Sequence, residues 1–335
     1  MQAAIYGLAG LELTPDERAF FGDADAAAYI LFKRNCADQA QLLRLTDDLR
    51  ALTGRPDLPI LIDQEGGRVA RMRPPNWPAF PAAEAFARLY QAAPSSAIEA
   101  ARSNARAIAL TLKSAGINVN CLPLLDVRQE GATDIIGDRA LGSEPMQVAA
   151  LGRAVLDGMA SAGVVGVIKH IPGHGRALAD SHKELPIVTA TADELESDLE
   201  PFERLRAAPM GMTAHVVYTA WDAERPASLS PTVIHDIIRG RIGFEGWLMS
   251  DDLGMEALTG DFGSRAAGVV AAGCDVALHC SGKLDEMVAV ASAVPAMSDD
   301  GEARLARAMA TVLAADDGAD FADAVAKRDA LLALA

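Results

Sequence analysis

The chain has 335 residues, of which 50% are hydrophobic and 5% aromatic, and it carries 46 acidic against 30 basic side chains. This length is enough for two average domains or for one large α/β barrel, which needs about 250 residues. The formal net charge of -16 repels phosphate backbones and anionic lipid surfaces. We therefore expect neither a nucleic acid nor a membrane as a partner.

The four cysteines show no CxxC spacing, which favours unpaired thiols and a reducing compartment. The first residues, "MQAAIYGLAGLELTPDERAF", lack the basic segment and continuous apolar run of a signal peptide. No stretch of the chain approaches the roughly 18 apolar residues of a membrane span. These features predict a cytoplasmic protein.

Short apolar runs alternate with amphipathic stretches along nearly the whole chain. Most of the runs are apolar without a two-residue alternation, which is typical of strands buried on both faces of a parallel sheet. The predicted strands are "AAIYGLA" (3–9), "AAYILF" (27–32), "LPILI" (58–62), "INVNCLPLLDV" (117–127), "VVGVI" (164–168), "GMTAHVVY" (211–218), "GWLMS" (246–250) and "CDVALHC" (274–280).

Helix signals lie between these runs. "TPDE" at 14–17 and "TADE" at 191–194 have the sequence of capping boxes, and "SP" at 230–231 opens a further helix. The alanine-rich stretches 97–114 and 144–162 are predicted to be outer helices.

Eight strand-like runs with intervening helices, and no Ser/Gly-rich linker, predict one α/β domain over residues 1–335. Its fold class is a (β/α)8 TIM-type barrel over about residues 3–285. The remaining residues, about 286–335, are predicted to form extra helices packed on the outside of the barrel.

Unusual polar residues stand at or near the ends of predicted strands. In parallel barrels the carboxyl ends of the strands form the active-site face, so side chains from separate strands are expected to converge there. The residues concerned are Asp63, Lys169, His170, His215, Asp251 and Asp252.

Each of these residues also has a purely structural interpretation. Of the two adjacent aspartates, Asp251 and Asp252, one can cap the next helix while the other is a catalytic carboxylate. Lys169, if buried, needs an acidic partner or a ligand. Asp63 can belong to an ordinary turn, and His215 can be a hydrogen-bonded core histidine.

The loop "KHIPGHGRALADSHKELP" (169–186) holds three of the six histidines, His170, His174 and His182. A zinc site would need several of them around one ion, but proline and glycine exclude the helical spacing of common zinc motifs. The alternative is an acid/base pair, since Asp180 and His182 point the same way in an extended segment. A carboxylate that orients an imidazole raises its basicity, and an imidazole suits proton transfer near neutral pH.

The motif "KHIPGHG....DSH" resembles the signature of the bacterial β-N-acetylglucosaminidases of glycoside hydrolase family 3, the NagZ type. "IDQEGGRVARM", "MTAHVVY" and "GFEGWLMSDDLGM" resemble three further motifs of that family in the same order, and "ILFKRN" (30–35) and "IGDRALG" (136–142) also match. The resemblance covers roughly residues 5–285.

The resemblance implies that Asp251 is the nucleophile and that His182 is the general acid/base, with Asp180 as its partner.

Two differences from the family pattern stand out, Arg176 in place of a frequent aspartate and "RALG" in place of "RSFG". His174 in the loop 169–186, which we call the catalytic loop, and His215 in the predicted strand 211–218 are further candidate site residues. The resemblance also implies a set of sugar-binding residues, namely Asp63, Arg71, Arg139, Lys169 and His170.

Retaining glycosidases normally use two carboxyl groups about 5–5.5 Å apart, and here an imidazole would replace one of them. The resemblance therefore implies a covalent glycosyl-enzyme on Asp251, with no cofactor and no metal. The substrates that it implies are cytosolic cell-wall fragments with a terminal N-acetylglucosamine on an anhydro-muramoyl peptide, and we expect a monomer. Three alternatives remain: a phosphorylase that uses phosphate as acceptor, a metal-dependent hydrolase, and a sugar-binding barrel without activity.

Overall fold

The fold is seen in a computed structural model that describes residues 1–129, 131–132, 134–181, 183–311 and 320–334. Parallel strands close into a barrel in which each strand pairs with its neighbours in chain order. The last strand pairs with the first, with Ala277 opposite Ala4. The barrel strands are β1 Gln2–Gly7, β2 Ala26–Leu31, β3 Ile60–Ile62, β4 Val119–Asn120, β5 Val165–Ile171, β6 Met210–Thr213, β7 Trp247–Asp252 and β8 Val276–His279. The predicted (β/α)8 TIM-type barrel is confirmed.

Several of the predicted strands are shorter in the structure, and the runs 117–127 and 211–218 differ most from the prediction. The run 117–127 forms a continuous strand only at β4, because Pro123 has no N–H to donate to a ladder. Beyond the proline, pairing with β5 continues only as an isolated bridge between Leu124 and Lys169. In the run 211–218, the barrel strand ends at Thr213. Its last part, Val217–Tyr218, belongs instead to a small separate sheet with Ile187–Val188 and Asp222–Pro226.

Helices surround the barrel, and the capping signals in the sequence form as predicted. Thr14 and Thr191 each complete a capping box with the glutamate three residues later, and the Ser230 hydroxyl accepts the backbone N–H of Val233. The α-helices are Pro15–Ala24, Gln39–Thr53, Ala83–Ala92, Pro94–Ser114, Pro145–Ser161, Ala192–Arg204, Phe262–Ala272, Leu284–Ala293, Asp299–Ala310 and Phe321–Leu332, and Val233–Arg241 has the wider π-type turn.

The C-terminal helices do more than cover the outside of the barrel. Phe321–Leu332 packs against the outer helix Pro94–Ser114. The helix Asp299–Ala310, however, contributes Leu305 and Met309 to the same buried cluster as the inward side chains of the barrel strands. Its apolar face therefore closes the barrel interior at the amino ends of the strands. The sequence predicts only helices on the outside of the barrel for this part of the chain.

The cysteines are unpaired, as predicted: Cys121, Cys274 and Cys280 are buried and Cys36 is half-buried. Among the described residues, no helix combines the length and the apolar composition that crossing a lipid bilayer requires.

Candidate active site

A cavity of about 240 Å³ lies at the carboxyl ends of the barrel strands. Two predicted site residues are not in its wall: His215 lies behind it, and Asp180 is on the adjoining loop. His182 is outside the described residues. The predicted site residues that line the cavity are Asp63, Arg71, Arg139, Lys169, His170, His174 and Asp251.

Asp63 follows β3 and accepts hydrogen bonds from two cationic side chains. Its Oδ1 lies 3.0 Å from Nζ of Lys169, and its Oδ2 lies 2.9 Å from a terminal guanidinium nitrogen of Arg71. Burial alone would raise the pKa of Asp63, but Lys169 and Arg71 outweigh this effect and hold the pKa well below its ordinary value. Asp63 is therefore ionised at neutral pH.

Lys169 reaches the cavity from β5 and has a second acidic partner, Glu65. The Lys169 Nζ is 2.8 Å from Glu65 Oε1, and Arg139 forms a bidentate pair with the same carboxylate at 2.8 and 2.9 Å. Burial alone would lower the pKa of Lys169, but Asp63 and Glu65 together raise the pKa by more than burial lowers it. The side chain therefore stays charged at neutral pH. The predicted need of Lys169 for an acidic partner is confirmed.

Glu65 was not among the predicted site residues. It stands within the quoted motif "IDQEGGRVARM", from which only Asp63 and Arg71 are predicted as site residues. Its importance appears only when β5 brings Lys169 and the segment Gly137–Arg139 brings Arg139 to the same carboxylate.

His170 is oriented by a buried aspartate that was also not predicted, Asp126. The His170 Nδ1 is 2.7 Å from Asp126 Oδ2, and the backbone N–H groups of His170 and His174 both donate to Asp126 Oδ1. Burial raises the pKa of Asp126, but His170 and His174 together lower it below its ordinary value, so the carboxylate is ionised. An ionised acceptor fixes the proton of His170 on Nδ1 and leaves Nε2 as the other ring nitrogen.

His174, a buried residue of the loop 169–186, is a neutral imidazole. Burial and the neighbouring His170 lower its pKa to about 4. Its Nε2 is 3.3 Å from the Ser181 hydroxyl, while its Nδ1 has no hydrogen-bond partner among the described residues.

The two adjacent aspartates at the end of β7 have different environments. Asp252 Oδ1 accepts the backbone N–H groups of Gly254 and Cys280, which shapes the turn after the strand. Both aspartates line the cavity, and the Asp251 Oδ1 accepts the N–H of Asp252 at 2.8 Å. Burial raises the pKa of Asp251, but interactions with His170, Lys169 and the N–H of Asp252 together lower it below its ordinary value.

His215 supports the end of β7 from behind the cavity. Its Nε2 donates to the Asp252 carbonyl at 3.0 Å, so its Nδ1 accepts from the Ser228 hydroxyl at 2.6 Å. Burial lowers the pKa of His215, consistent with a neutral ring. The structural interpretation of His215 fits these contacts, since both ring nitrogens are used within the protein.

Apolar and aromatic side chains form the remaining wall of the cavity. Phe32 follows β2, and the guanidinium groups of Arg34 and Arg71 each lie 5.0 Å from the centre of its ring. Such cation–π contacts keep Phe32 and Arg71 in a fixed relation at the rim. Among the described residues, no group of three or more His, Cys, Asp or Glu side chains is arranged to hold a metal ion.

Comparison with known proteins identifies the family. The glycosyl hydrolase family 3 N-terminal domain matches residues 8–315. The chain belongs to glycosyl hydrolase family 3. Among its curated relatives, a β-hexosaminidase of Aromatoleum aromaticum is 40% identical over 82% of this chain and 78% of its own length. A β-hexosaminidase of Bordetella avium is 38% identical over 82% of this chain and 79% of its own length.

Solved structures of family 3 members have the same fold. The structure of NagZ from Neisseria gonorrhoeae, in complex with N-trifluoroacetyl-D-glucosamine, superimposes with a TM-score of 0.87 at 32% identity. The match covers 99% of this chain and 98% of that one. The chain is thus a glycoside hydrolase of the β-N-acetylhexosaminidase class, and the predicted resemblance is confirmed.

Proposed function

We propose that this chain is a retaining exo-β-N-acetylglucosaminidase, built as one catalytic domain that acts through a covalent glycosyl-enzyme on Asp251. The main support is the environment of Asp251, a carboxylate with a lowered pKa in the wall of a small cavity that also holds Asp63, Lys169 and Arg139. A nucleophile must be ionised before it can attack, and this carboxylate is ionised at neutral pH. A cavity of about 240 Å³ at the end of a barrel suits removal of one terminal sugar.

In the first step, Asp251 attacks the anomeric carbon and forms a glycosyl ester, while the bond to the leaving oxygen breaks. His182 donates a proton to that oxygen, so the aglycone leaves as a neutral alcohol. In the second step, the same imidazole removes a proton from water, which attacks the ester and releases the sugar with retained configuration. Asp180 orients and polarises His182 throughout.

The sugar hydroxyls are held by the charged groups in the floor of the cavity. Asp63 accepts hydrogen bonds from hydroxyls, while Lys169, Arg71 and Arg139 donate to them. Asp63 already pairs with Lys169 and Arg71, and Arg139 pairs with Glu65, so these groups are fixed in position before substrate arrives. His170 adds its Nε2 to the same set.

The proposed substrates are cytosolic peptidoglycan fragments in which a terminal N-acetylglucosamine is linked to an anhydro-muramoyl peptide. The relation to NagZ-type proteins supports this substrate class. The N-acetylglucosamine derivative named for the Neisseria gonorrhoeae complex supports the same sugar for this cavity.

The proposed function is tested by comparing turnover of an aryl β-N-acetylglucosaminide with that of the corresponding glucoside, with phosphate varied. We expect release of free N-acetylglucosamine at a rate that phosphate does not change, and little turnover of the glucoside. A sugar 1-phosphate as the main product would indicate a phosphorylase instead, and absence of turnover would indicate a sugar-binding barrel.

A further inference from the structure

Arg176, the residue that departs from the family motif, ties the catalytic loop to the helix Ala192–Arg204. Its Nε donates to Asp198 Oδ2 at 2.6 Å, and a terminal nitrogen donates to the Ser197 hydroxyl at 3.0 Å and to the Glu194 carbonyl at 2.8 Å. Asp198 is only 1% exposed, whereas Arg176 is 24% exposed. This pair is therefore unlike an exposed surface ion pair, since one partner is fully removed from water.

The loop begins close to the same helix at Gly173. Gly173 has a φ of +136°, and a Cβ at this position would lie 3.1 Å from the Cβ of Asp198. Its carbonyl accepts the Tyr218 hydroxyl at 2.7 Å. A Cβ at Gly175 would collide with the Val127 carbonyl oxygen. The base of the loop thus has close packing on several sides.

The catalytic loop has a second attachment to the rest of the protein, at Ser181. The Ser181 carbonyl accepts the N–H of Ala257 at 3.2 Å, and its hydroxyl lies beside the His174 ring. Asp180 precedes Ser181, so it lies on the segment between this point and Arg176. The path of that segment depends on both attachments.

We propose that Arg176 is a positioning residue of the glycosidase reaction, because its contacts with Asp198, Ser197 and Glu194 fix the loop that carries Asp180. The inference rests on the proposed acid/base role of this loop. Arginine suits the position, since its planar group reaches acceptors on three neighbouring residues of a helix, which a lysine ammonium on a flexible stem does not match. A displacement of about 1 Å of a catalytic group is enough to cost up to 100-fold in rate.

Asp198 also depends on Arg176. Burial raises the pKa of Asp198, and the hydrogen bond and charge of Arg176 oppose that rise. Its Oδ1 is buried without a hydrogen-bond partner among the described residues. Without Arg176, the carboxylate would be left buried and unpaired, so the loop and the helix surface beneath it would rearrange together.

The test compares Arg176→Ala with the wild type on two substrates, an N-acetylglucosamine disaccharide with a poor leaving group and a nitrophenyl N-acetylglucosaminide with a good one. Proton donation matters most for poor leaving groups, so kcat/KM should fall about 10-fold for the disaccharide. Single-turnover release of nitrophenol should change less than 2-fold, and KM should change little. Arg176→Lys should recover part of the loss.

The matched control is Arg204→Ala, which removes an exposed pair with Glu200 on the same helix and should leave both substrates unaffected. If Arg176→Ala does not fold, Asp198→Asn, which removes the other charge of the pair, should give the same substrate-dependent loss. Equal losses on both substrates, or no loss, would overturn the role of Arg176. If Asp180→Ala also fails to lower kcat/KM more for the disaccharide than for the nitrophenyl substrate, the proposed acid/base role is wrong. If Asp180→Ala shows this difference and Arg176→Ala does not, only the positioning role of Arg176 is wrong.

Discussion

Lys169 and Glu65 form an ion pair of 2.8 Å in the floor of the cavity, with side chains only 3% and 5% exposed. The pair joins two separate parts of the chain, the end of β5 and the turn after β3. Each partner has a second contact of opposite charge, Asp63 for the lysine and Arg139 for the glutamate. The cations proposed to bind the sugar are therefore neutralised and oriented by carboxylates of the protein itself.

This pairing predicts a pH-dependent contribution of Glu65 to stability. Burial raises the pKa of Glu65, but Lys169 and Arg139 lower it by more, so the folded-state pKa lies below the ordinary 4.5. A lowered folded-state pKa stabilises the protein above the unfolded-state pKa, and this stabilisation is lost as the pH falls through the folded-state pKa. Glu65→Gln should reduce the free energy of unfolding at pH 7 by about 3 kcal/mol.

Denaturant unfolding of wild type and Glu65→Gln between pH 7 and pH 3 measures this contribution. The difference between the two proteins should become smaller in the acidic part of that range. Glu200→Gln, which changes an exposed carboxylate, should give nearly no difference at any pH. A difference for Glu65→Gln that stays constant with pH would contradict the ionised buried pair.

Asp126 is predicted to set the tautomer and orientation of His170. Asp126→Asn replaces the charged acceptor of Nδ1 by a neutral amide, and loss of a charge-assisted hydrogen bond of about 1.5–3 kcal/mol corresponds to roughly 10- to 100-fold. We expect kcat/KM to fall by that factor in a folded protein. Nitrogen NMR of the His170 ring should show Nδ1 protonated in the wild type, and an Nδ1 without a proton would refute this assignment.

The parts of the fold that the sequence predicts are those encoded in neighbouring residues. Uninterrupted apolar runs predict the barrel strands, and the residues around Thr14 and Thr191 predict two helix starts. The closure of the barrel interior by the helix Asp299–Ala310 was not predicted, because it depends on packing between distant segments, which local patterns do not contain. The shortening of β4 was not predicted either, although Pro123 is a local signal for it.

The candidate site shows the same limit. Polar residues at strand ends such as Asp63, Lys169 and Asp251 were predicted to converge, and they line one cavity. Glu65 and Asp126 were missed because each becomes significant only through a partner on another strand. A signal for Asp126 was present, since it is an acidic residue inside the apolar run 117–127.

Activity is predicted not to depend on a metal ion, because the proposed mechanism uses a carboxylate nucleophile and an imidazole acid/base. Dialysis against a strong chelator should leave kcat and KM of the purified enzyme unchanged. The control is re-addition of zinc, which should not raise the rate. Stoichiometric zinc in the purified protein, with activity lost on its removal and restored by its return, would show that the histidines serve a metal.

The proposed acid/base role predicts that His182→Ala harms poor leaving groups far more than good ones. Cleavage of a natural disaccharide should fall by about 100-fold or more, the size typical of general acid catalysis. With a nitrophenyl substrate the second step should become limiting, since no base activates water. Azide needs no such base, so it should restore turnover and give a glycosyl azide of retained configuration.

Asp180→Ala should show a weaker form of the same behaviour, because it removes only the group that orients the imidazole. The two variants are compared by steady-state rates on both substrates with and without azide. Equal rate losses on good and poor leaving groups, without azide rescue, would falsify the acid/base role of this loop.

The measurement that tests the central proposal most directly is the mass spectrum of peptides from enzyme treated with a 5-fluoro N-acetylglucosaminyl fluoride. The fluorine beside the ring oxygen slows both steps while the reactive fluoride keeps the first one accessible, so a glycosyl-enzyme should accumulate. We predict one sugar per chain, attached to Asp251, and no label in Asp251→Asn. A label on another residue, or turnover of the reagent without any covalent label, would contradict a glycosyl-Asp251 intermediate.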